Sequence, residues 1–123
     1  MATTVLVVDD SPPLRRLVRL TLDMTDWTVV GEAADGEEAI RAAYELAPDV
    51  VILDQQMPVM SGLSALPRLR RASPSSRIIM WSNDPVAHEG LAMGASAVVD
   101  KNQPLDHLLV ALALIAPSRV YTA

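Results

Sequence analysis

Four apolar runs in this chain each stop at a polar group capable of chemistry. Val5-Leu6-Val7-Val8 runs into Asp9-Asp10, and Val50-Val51-Ile52-Leu53 into Asp54. Arg77-Ile78-Ile79-Met80-Trp81 ends in the hydroxyl of Ser82, and Ala97-Val98-Val99-Asp100 ends at Lys101. If the runs are parallel strands of one sheet, three carboxylates, a hydroxyl and an ammonium share one edge. Ligands bind outside the carboxyl ends of the strands of an open α/β sheet. Like charges a few ångströms apart repel strongly in a poorly solvated site, so the acids need a cation or stay partly protonated. No histidine or cysteine lies near these positions, and oxygen ligands with room for water suit Mg2+. Mg2+ and lysine around a carboxylate are the parts that phosphoryl transfer uses, with the carboxylate as nucleophile and Ser82 donating to a phosphoryl oxygen. Taken singly, each residue has an ordinary reading as a cap, a turn or a solvated charge. Their conjunction at four strand ends gives them a common purpose.

The elements that position these groups alternate. Ser11 caps a helix whose first turn holds Pro12 and Pro13 and whose buried face is Leu14, Leu17, Val18 and Leu22. Thr28 to Ala33 reads as a strand. Asp35-Gly36-Glu37-Glu38 has the form of a capping box, ahead of a face of Ile40, Ala43, Tyr44 and Ala47 that Pro48 ends. A loop from Gln55 to Ser61 precedes a third helix bearing Leu63, Leu66 and Leu69, with Pro67 expected to kink it or delay its start. Ser73 to Ser76 is a loop, Asp84-Pro85 opens a fourth helix and Gly94 closes it. Pro104 opens the last helix, with a stripe of Leu105, Leu108, Leu109 and Leu112, and the tail from Pro117 is expected to fray. Strands alternating with helices imply right-handed crossovers and a parallel sheet. The nearly all-apolar strands require helices on both faces.

Composition narrows the function. The chain of 123 residues is long enough for one buried core. Its net charge of −5 argues against nonspecific nucleic-acid binding. No apolar stretch reaches membrane-spanning length, and with the first residues reading directly into a strand no cleavable leader is expected. The absence of cysteine excludes disulfides and thiolate chemistry. A cytoplasmic protein is expected. His88 and His107 are isolated, with His88 read as solvated; Trp81 should pack into the core on the strand face opposite Ser82, and Trp27 should be half-buried. Arg68, Arg70 and Arg71 read as a solvated face.

The motifs Leu6-Val7-Val8-Asp9-Asp10-Ser11, Asp54-Gln55-Gln56-Met57-Pro58-Val59-Met60-Ser61-Gly62-Leu63, Ser82 and Gly94-Ala95-Ser96 followed by Lys101 resemble the receiver domain of two-component response regulators. The resemblance covers essentially the whole chain, and a single receiver (1–123, core about 4–116) with no output domain is expected. It implies a flavodoxin-like, doubly wound sheet of order 2-1-3-4-5, with the site between strands one and three. It implies that Asp54 is the phosphoacceptor and that Asp10, Asp54 and the Gln56 carbonyl hold Mg2+, with Asp9 acting mainly through water. Lys101 would contact the phosphoryl group and Ser82 would move to bind it. Met57-Pro58 and Gly62 would shape the loop. The partners implied are a histidine kinase or phosphotransfer protein and a downstream protein target. Signalling is through protein contact, with no direct nucleic-acid or membrane binding. The responsive surface is the fourth helix, fifth strand and fifth helix, including Val98, which in the family often forms symmetric dimers or docks targets. Three departures stand out: Val98 replaces an aromatic switch residue, Asn102 replaces a proline after the lysine, and Asn83 replaces a small residue. Asn83 could narrow the access of hydrolytic water. Gln56 and Asp84 occupy positions that tune acyl-phosphate lifetime. Not a dedicated enzyme is expected: an aspartyl phosphatase needs a second Asp at position 56, where Gln56 stands. A phosphorylation-independent adaptor of the same fold is the alternative that Val98 keeps open.

Overall fold

The computed structural model describes residues 3–115; the tail expected to fray lies outside them. Five strands form one parallel sheet: β1 (Thr3–Val8), β2 (Trp27–Ala33), β3 (Val50–Leu53), β4 (Arg77–Ser82) and β5 (Ala97–Asp100), in the order β2-β1-β3-β4-β5. The connections are α1 (Pro12–Leu22), α2 (Gly36–Leu46), α3 (Gly62–Ala72) and a 3₁₀ helix, η1 (Pro85–Leu91); α4 (Asp106–Ile115) follows β5. The doubly wound flavodoxin-like order expected from the sequence is the order found.

The period-two geometry of the strands divides the core. Leu6, Val8, Val51, Leu53, Ile78 and Met80 point to one face, where they meet Ala39 and Ala43 of α2, Leu66 and Leu69 of α3 and Ala87 of η1. Val5, Val7, Val50, Ile52, Ile79 and Trp81 point to the other, against Val18 and Leu22 of α1 and Leu108 and Leu112 of α4. Trp81 is thus a core residue, and Trp27 is half-buried against the same cluster, as expected. β1, β3 and β4 are buried on both faces, which is why they read as unbroken apolar runs.

The caps at Ser11 and Asp35 are made: their side chains accept from the N–H groups of Leu14 and Glu38. Several expectations change. Leu17 is 45% exposed because α1 is rolled toward β2, where Arg15 and Arg19 pair with Glu32; the inward arc then runs from Leu14 to Arg19 and leaves Leu17 outside it. Tyr44 is 74% exposed because the α2 face that packs is centred on Gly36, Ala39 and Ala43, and successive helical residues turn by about 100°. The fourth helix is 3₁₀, since its inward residues Ala87 and Gly90 lie three apart, the spacing that a three-residue turn brings into line. Of the two effects expected of Pro67, the delayed start is not found: α3 starts at Gly62 and continues to Ala72 around buried Ala65, Leu66 and Leu69. The last helix begins at Asp106, after a turn in which Pro104 and Leu105 accept from His107 and Leu108.

Candidate functional site

The register of the sheet assembles the site. β1 and β3 pair up to Val8 beside Leu53, so the next residues, Asp9 and Asp54, emerge as neighbours. The Asp54 N–H donates to the Val8 carbonyl at 3.0 Å, which carries the pairing one residue further. On the other side β4 and β5 end with Ser82 beside Asp100, and the Lys101 N–H donates to the Ser82 carbonyl at 3.2 Å. The four strand ends named from the sequence therefore do converge on one edge.

Asp9, Asp10 and Asp54 each offer a carboxylate oxygen within 4.8 Å of the others. Asp9 and Asp54 are buried, at 1% and 5% exposure, whereas Asp10 faces solvent. The Lys101 ammonium bridges the buried pair, 2.6 Å from Asp9 Oδ2 and 3.1 Å from Asp54 Oδ2. It also lies 5.1 Å above the centre of the Trp81 ring, a cation–π contact that fixes it from the core side. The second oxygens are used too: Asp9 Oδ1 accepts from the Ser11 N–H at 2.9 Å and Asp54 Oδ1 from the Gln55 N–H at 2.8 Å. Burial pushes the Asp54 carboxyl above its ordinary range, and the Asp9 charge adds to this. Lys101 and the Gln55 N–H act in the opposite direction without cancelling it.

Three carboxylates and one ammonium give a formal charge of −3 + 1 = −2. A divalent cation would neutralise it. The donors are all oxygen, and exposed Asp10 leaves a side open to water, so the set fits a hard ion that keeps part of its hydration.

Ser82 stands at the same edge, buried, its Oγ accepting from the Asp84 N–H at 3.1 Å; among the described residues no hydrogen bond joins it to Asp54. Asp84 uses one carboxylate oxygen to cap η1 through the Val86 N–H, and accepts from the exposed Gln56 amide on the other at 3.0 Å. Asn83 is exposed and Val98 is half-buried against the α2–α3 side of the core. The loop from Gln55 to Ser61 is held close: the Gly62 N–H donates to the Gln55 carbonyl at 2.9 Å and the Leu63 N–H to Gln55 Oε1 at 2.7 Å. A Cβ at Gly62 would collide with the Asp54 carbonyl oxygen, so only glycine lets the loop lie against the site. Met60 meets α2 by accepting from the Gly36 N–H at 3.2 Å.

Sequence reasoning missed Arg15, whose Nη1 donates to the Asp9 carbonyl at 2.6 Å while its Nε donates to Glu32 at 3.1 Å. It also missed the Gln55 side chain and the Gln56–Asp84 bond. An arginine one helical turn after Asp9-Asp10-Ser11 is a weak signal, and a bond between two loops has none.

The model of the response regulator receiver domain family matches residues 5–113. The chain belongs to that family. It is 41% identical over 113 residues to the nitrate/nitrite response regulator protein NarL of Escherichia coli, covering 89% of this chain and 52% of that protein. This receiver spans about half or less of the length of the curated relatives it matches. It is similar in structure to the signal receiver domain of the putative response regulator NarL from Mycobacterium tuberculosis, with a TM-score of 0.85 and 30% identity over 96% of this chain and 98% of that one. It is also similar to a chain of the CheX-CheY-BeF3-Mg complex of Borrelia burgdorferi, with a TM-score of 0.79 and 27% identity over 94% and 90% of the two chains. The receiver is therefore a module of two-component signalling.

Proposed function

We propose that this receiver accepts a phosphoryl group on Asp54 from a phosphohistidine of a histidine kinase or phosphotransfer protein, in a Mg2+-dependent reaction, and signals by protein contact. The observation that carries the reading is the buried Asp54 carboxylate beside Asp9 and under the Lys101 ammonium, at the switch point between β1 and β3. An Asp54 carboxylate oxygen attacks phosphorus as the bond to the histidine nitrogen breaks, giving an aspartyl phosphate and a free imidazole. Lys101 lies where it can hold a phosphoryl oxygen, and it trades part of its contact with Asp54 for that contact. Ser82, brought inward, donates its hydroxyl to another phosphoryl oxygen. Bound by Asp10, Asp54 and the Gln56 carbonyl, with Asp9 acting through water, Mg2+ would neutralise charge on the transferring group. The receiver is then a switch and not an enzyme that turns over a substrate. Its setting is the cytoplasm; among the described residues no helix is long and apolar enough to cross a membrane.

The test is intact-mass measurement after incubation with Mg2+ and a small acyl-phosphate donor, with Asp54→Asn alongside. One added phosphoryl group, absent from the variant and from a sample stripped of divalent ions, is expected. Uptake by the variant would move the acceptor elsewhere. No uptake from the small donor or from a phosphorylated kinase would leave the phosphorylation-independent adaptor.

A further inference from the structure

β4 ends in two residues that strand geometry sends to opposite faces, Trp81 and Ser82. Trp81 is 5% exposed and belongs to one cluster with Val18 and Leu22 of α1 and Leu108 and Leu112 of α4. Register decides what its ring meets. Trp81 pairs with Val99 of β5, and Lys101 follows Val99 by two positions, which returns its side chain to the same face. A leucine at this position would fill the core but would offer the ammonium no partner.

Among the described residues three groups meet the Lys101 ammonium: Asp9 Oδ2 at 2.6 Å, Asp54 Oδ2 at 3.1 Å and the centre of the Trp81 ring at 5.1 Å. The three contacts do not last equally through phosphoryl transfer. Asp54 gives up its free carboxylate when one of its oxygens bonds phosphorus. The Asp9 charge is shared once a divalent cation is held beside it. The ring is altered by neither event, because the core fixes it and it carries no net charge to be claimed. It attracts the ammonium through its quadrupole without neutralising it. A carboxylate anchor competes with a phosphoryl oxygen for the charge of the lysine, whereas an aromatic face leaves that charge available.

We infer that Trp81 is a positioning residue for phosphoryl transfer: its ring holds the Lys101 ammonium at the sheet edge while the carboxylate contacts are exchanged for a phosphoryl oxygen. The end of β4 then governs both side chains that meet the phosphoryl oxygens, Ser82 directly and Lys101 through the ring beneath it. The positioning role rests on the proposed phosphoryl transfer; the hold on Lys101 does not.

The test uses tryptophan analogues that keep the shape of the ring and drain its quadrupole. The chain has two tryptophans, so Trp27→Phe leaves Trp81 as the only position labelled. That protein is made with ordinary, mono-, di- and trifluorinated tryptophan. Its rate of phosphoryl uptake from the small donor with Mg2+, read by intact mass, should fall with each added fluorine, by about tenfold across the series. Melting temperature should not follow the series. With Lys101→Met added, the rates should no longer depend on fluorination, because the ring has no cation to hold. Rates that ignore fluorination with Lys101 present, or that keep the same dependence without it, would overturn the inference. Trp81→Leu should slow uptake at least as much as full fluorination, and Trp81→Phe should recover part of the loss; the fluorinated series carries the test if Trp81→Leu melts early. Failure of the phosphoryl reading shows itself differently, as no uptake by the native protein. The hold is then read by NMR without donor, as an upfield ring-current shift of the Lys101 ε-methylene protons that Trp81→Leu abolishes. Unshifted protons in the native protein would overturn the hold itself.

Discussion

Asp49 and Asp54 bracket the same short strand, β3, and their surroundings could hardly differ more. Asp49 Oδ2 accepts from both the Thr4 N–H, at 2.8 Å, and the Thr4 hydroxyl, at 3.1 Å, while its own N–H donates to that hydroxyl at 3.0 Å. It is a staple between the starts of β1 and β3, with neutral donors meeting one charge. Asp54, at the other end, is buried among like charges with a single ammonium to share. Its burial raises its pKa, whereas the Lys101 contact limits the rise without reversing it. A carboxylate whose needs the fold meets is structural. One left short of positive charge is poised to receive something that brings it, here a cation and a phosphoryl group whose oxygens Lys101 can hold.

The comparison breaks most decisively if the two residues are exchanged in role. Asp54→Asn should abolish phosphoryl uptake, whereas Asp49→Asn should leave it intact, both read by intact mass. Uptake that survives in the first or is lost in a folded second would sink the distinction. Next in size is Lys101→Met, which leaves two buried carboxylates with no ammonium between them. Its phosphorylation rate should fall by about 10²–10³, the usual cost of removing a group that meets developing charge. At the quiet end, Thr4→Val removes the hydroxyl from the staple. Denaturant unfolding should show a loss of about 1–2 kcal/mol with the phosphorylation rate unchanged.

The contrast between the two aspartates was half legible in the sequence. Asp54 could be picked out because strands run parallel when helices intervene, so apolar runs that end in acids must end together. Asp49 was readable only as the residue before a strand, because its partner lies 45 positions away and threonine at a strand start is commonplace. The same limit hid Arg15 and the Gln56–Asp84 bond, since both depend on how loops and helix rolls settle. Leu17 and Tyr44 show the limit from the other side. Helical spacing marks a stripe, but the roll of each helix is set by its neighbours, such as Glu32 drawing on Arg15 and Arg19. The 3₁₀ form of η1 was likewise hidden, because alanine and glycine three apart carry little periodicity.

A smaller effect follows from the electrostatics of Asp54. Its native pKa lies above the ordinary 3.8, so the folded protein holds that proton more tightly than the unfolded chain. Stability from this group is present in full below about pH 3.8 and is lost as pH rises through the native value. At neutral pH, without divalent ions, Asp54→Asn should therefore melt at a higher temperature than the native protein. The gap should close on acidification and shrink on adding Mg2+, which stabilises only the ionised site. A variant that melts lower at neutral pH would mean that the ion pair with Lys101 outweighs burial, contrary to the direction found here.

The finest test concerns the strap from Gln56 to Asp84. The bond spans two loops beside Asp54 and is exposed, so it contributes little to stability. Its effect should be on access. Asp84 also caps η1 and holds Ser82 Oγ through its N–H, so the strap ties the loop after Asp54 to the segment that must move when Ser82 binds a phosphoryl oxygen. Gln56→Ala removes the strap and leaves the Gln56 backbone carbonyl and both Asp84 contacts within its own segment. Water then reaches the aspartyl phosphate more freely, and its half-life, followed by loss of phosphoryl mass after the donor is removed, should shorten severalfold with uptake preserved. Asp84→Ala should shorten it too, with an added fall in melting temperature from the lost cap of about 1 kcal/mol. Equal half-lives for native and Gln56→Ala protein would show that the strap does not guard the site, and would leave Asn83 as the side chain that narrows the approach of water.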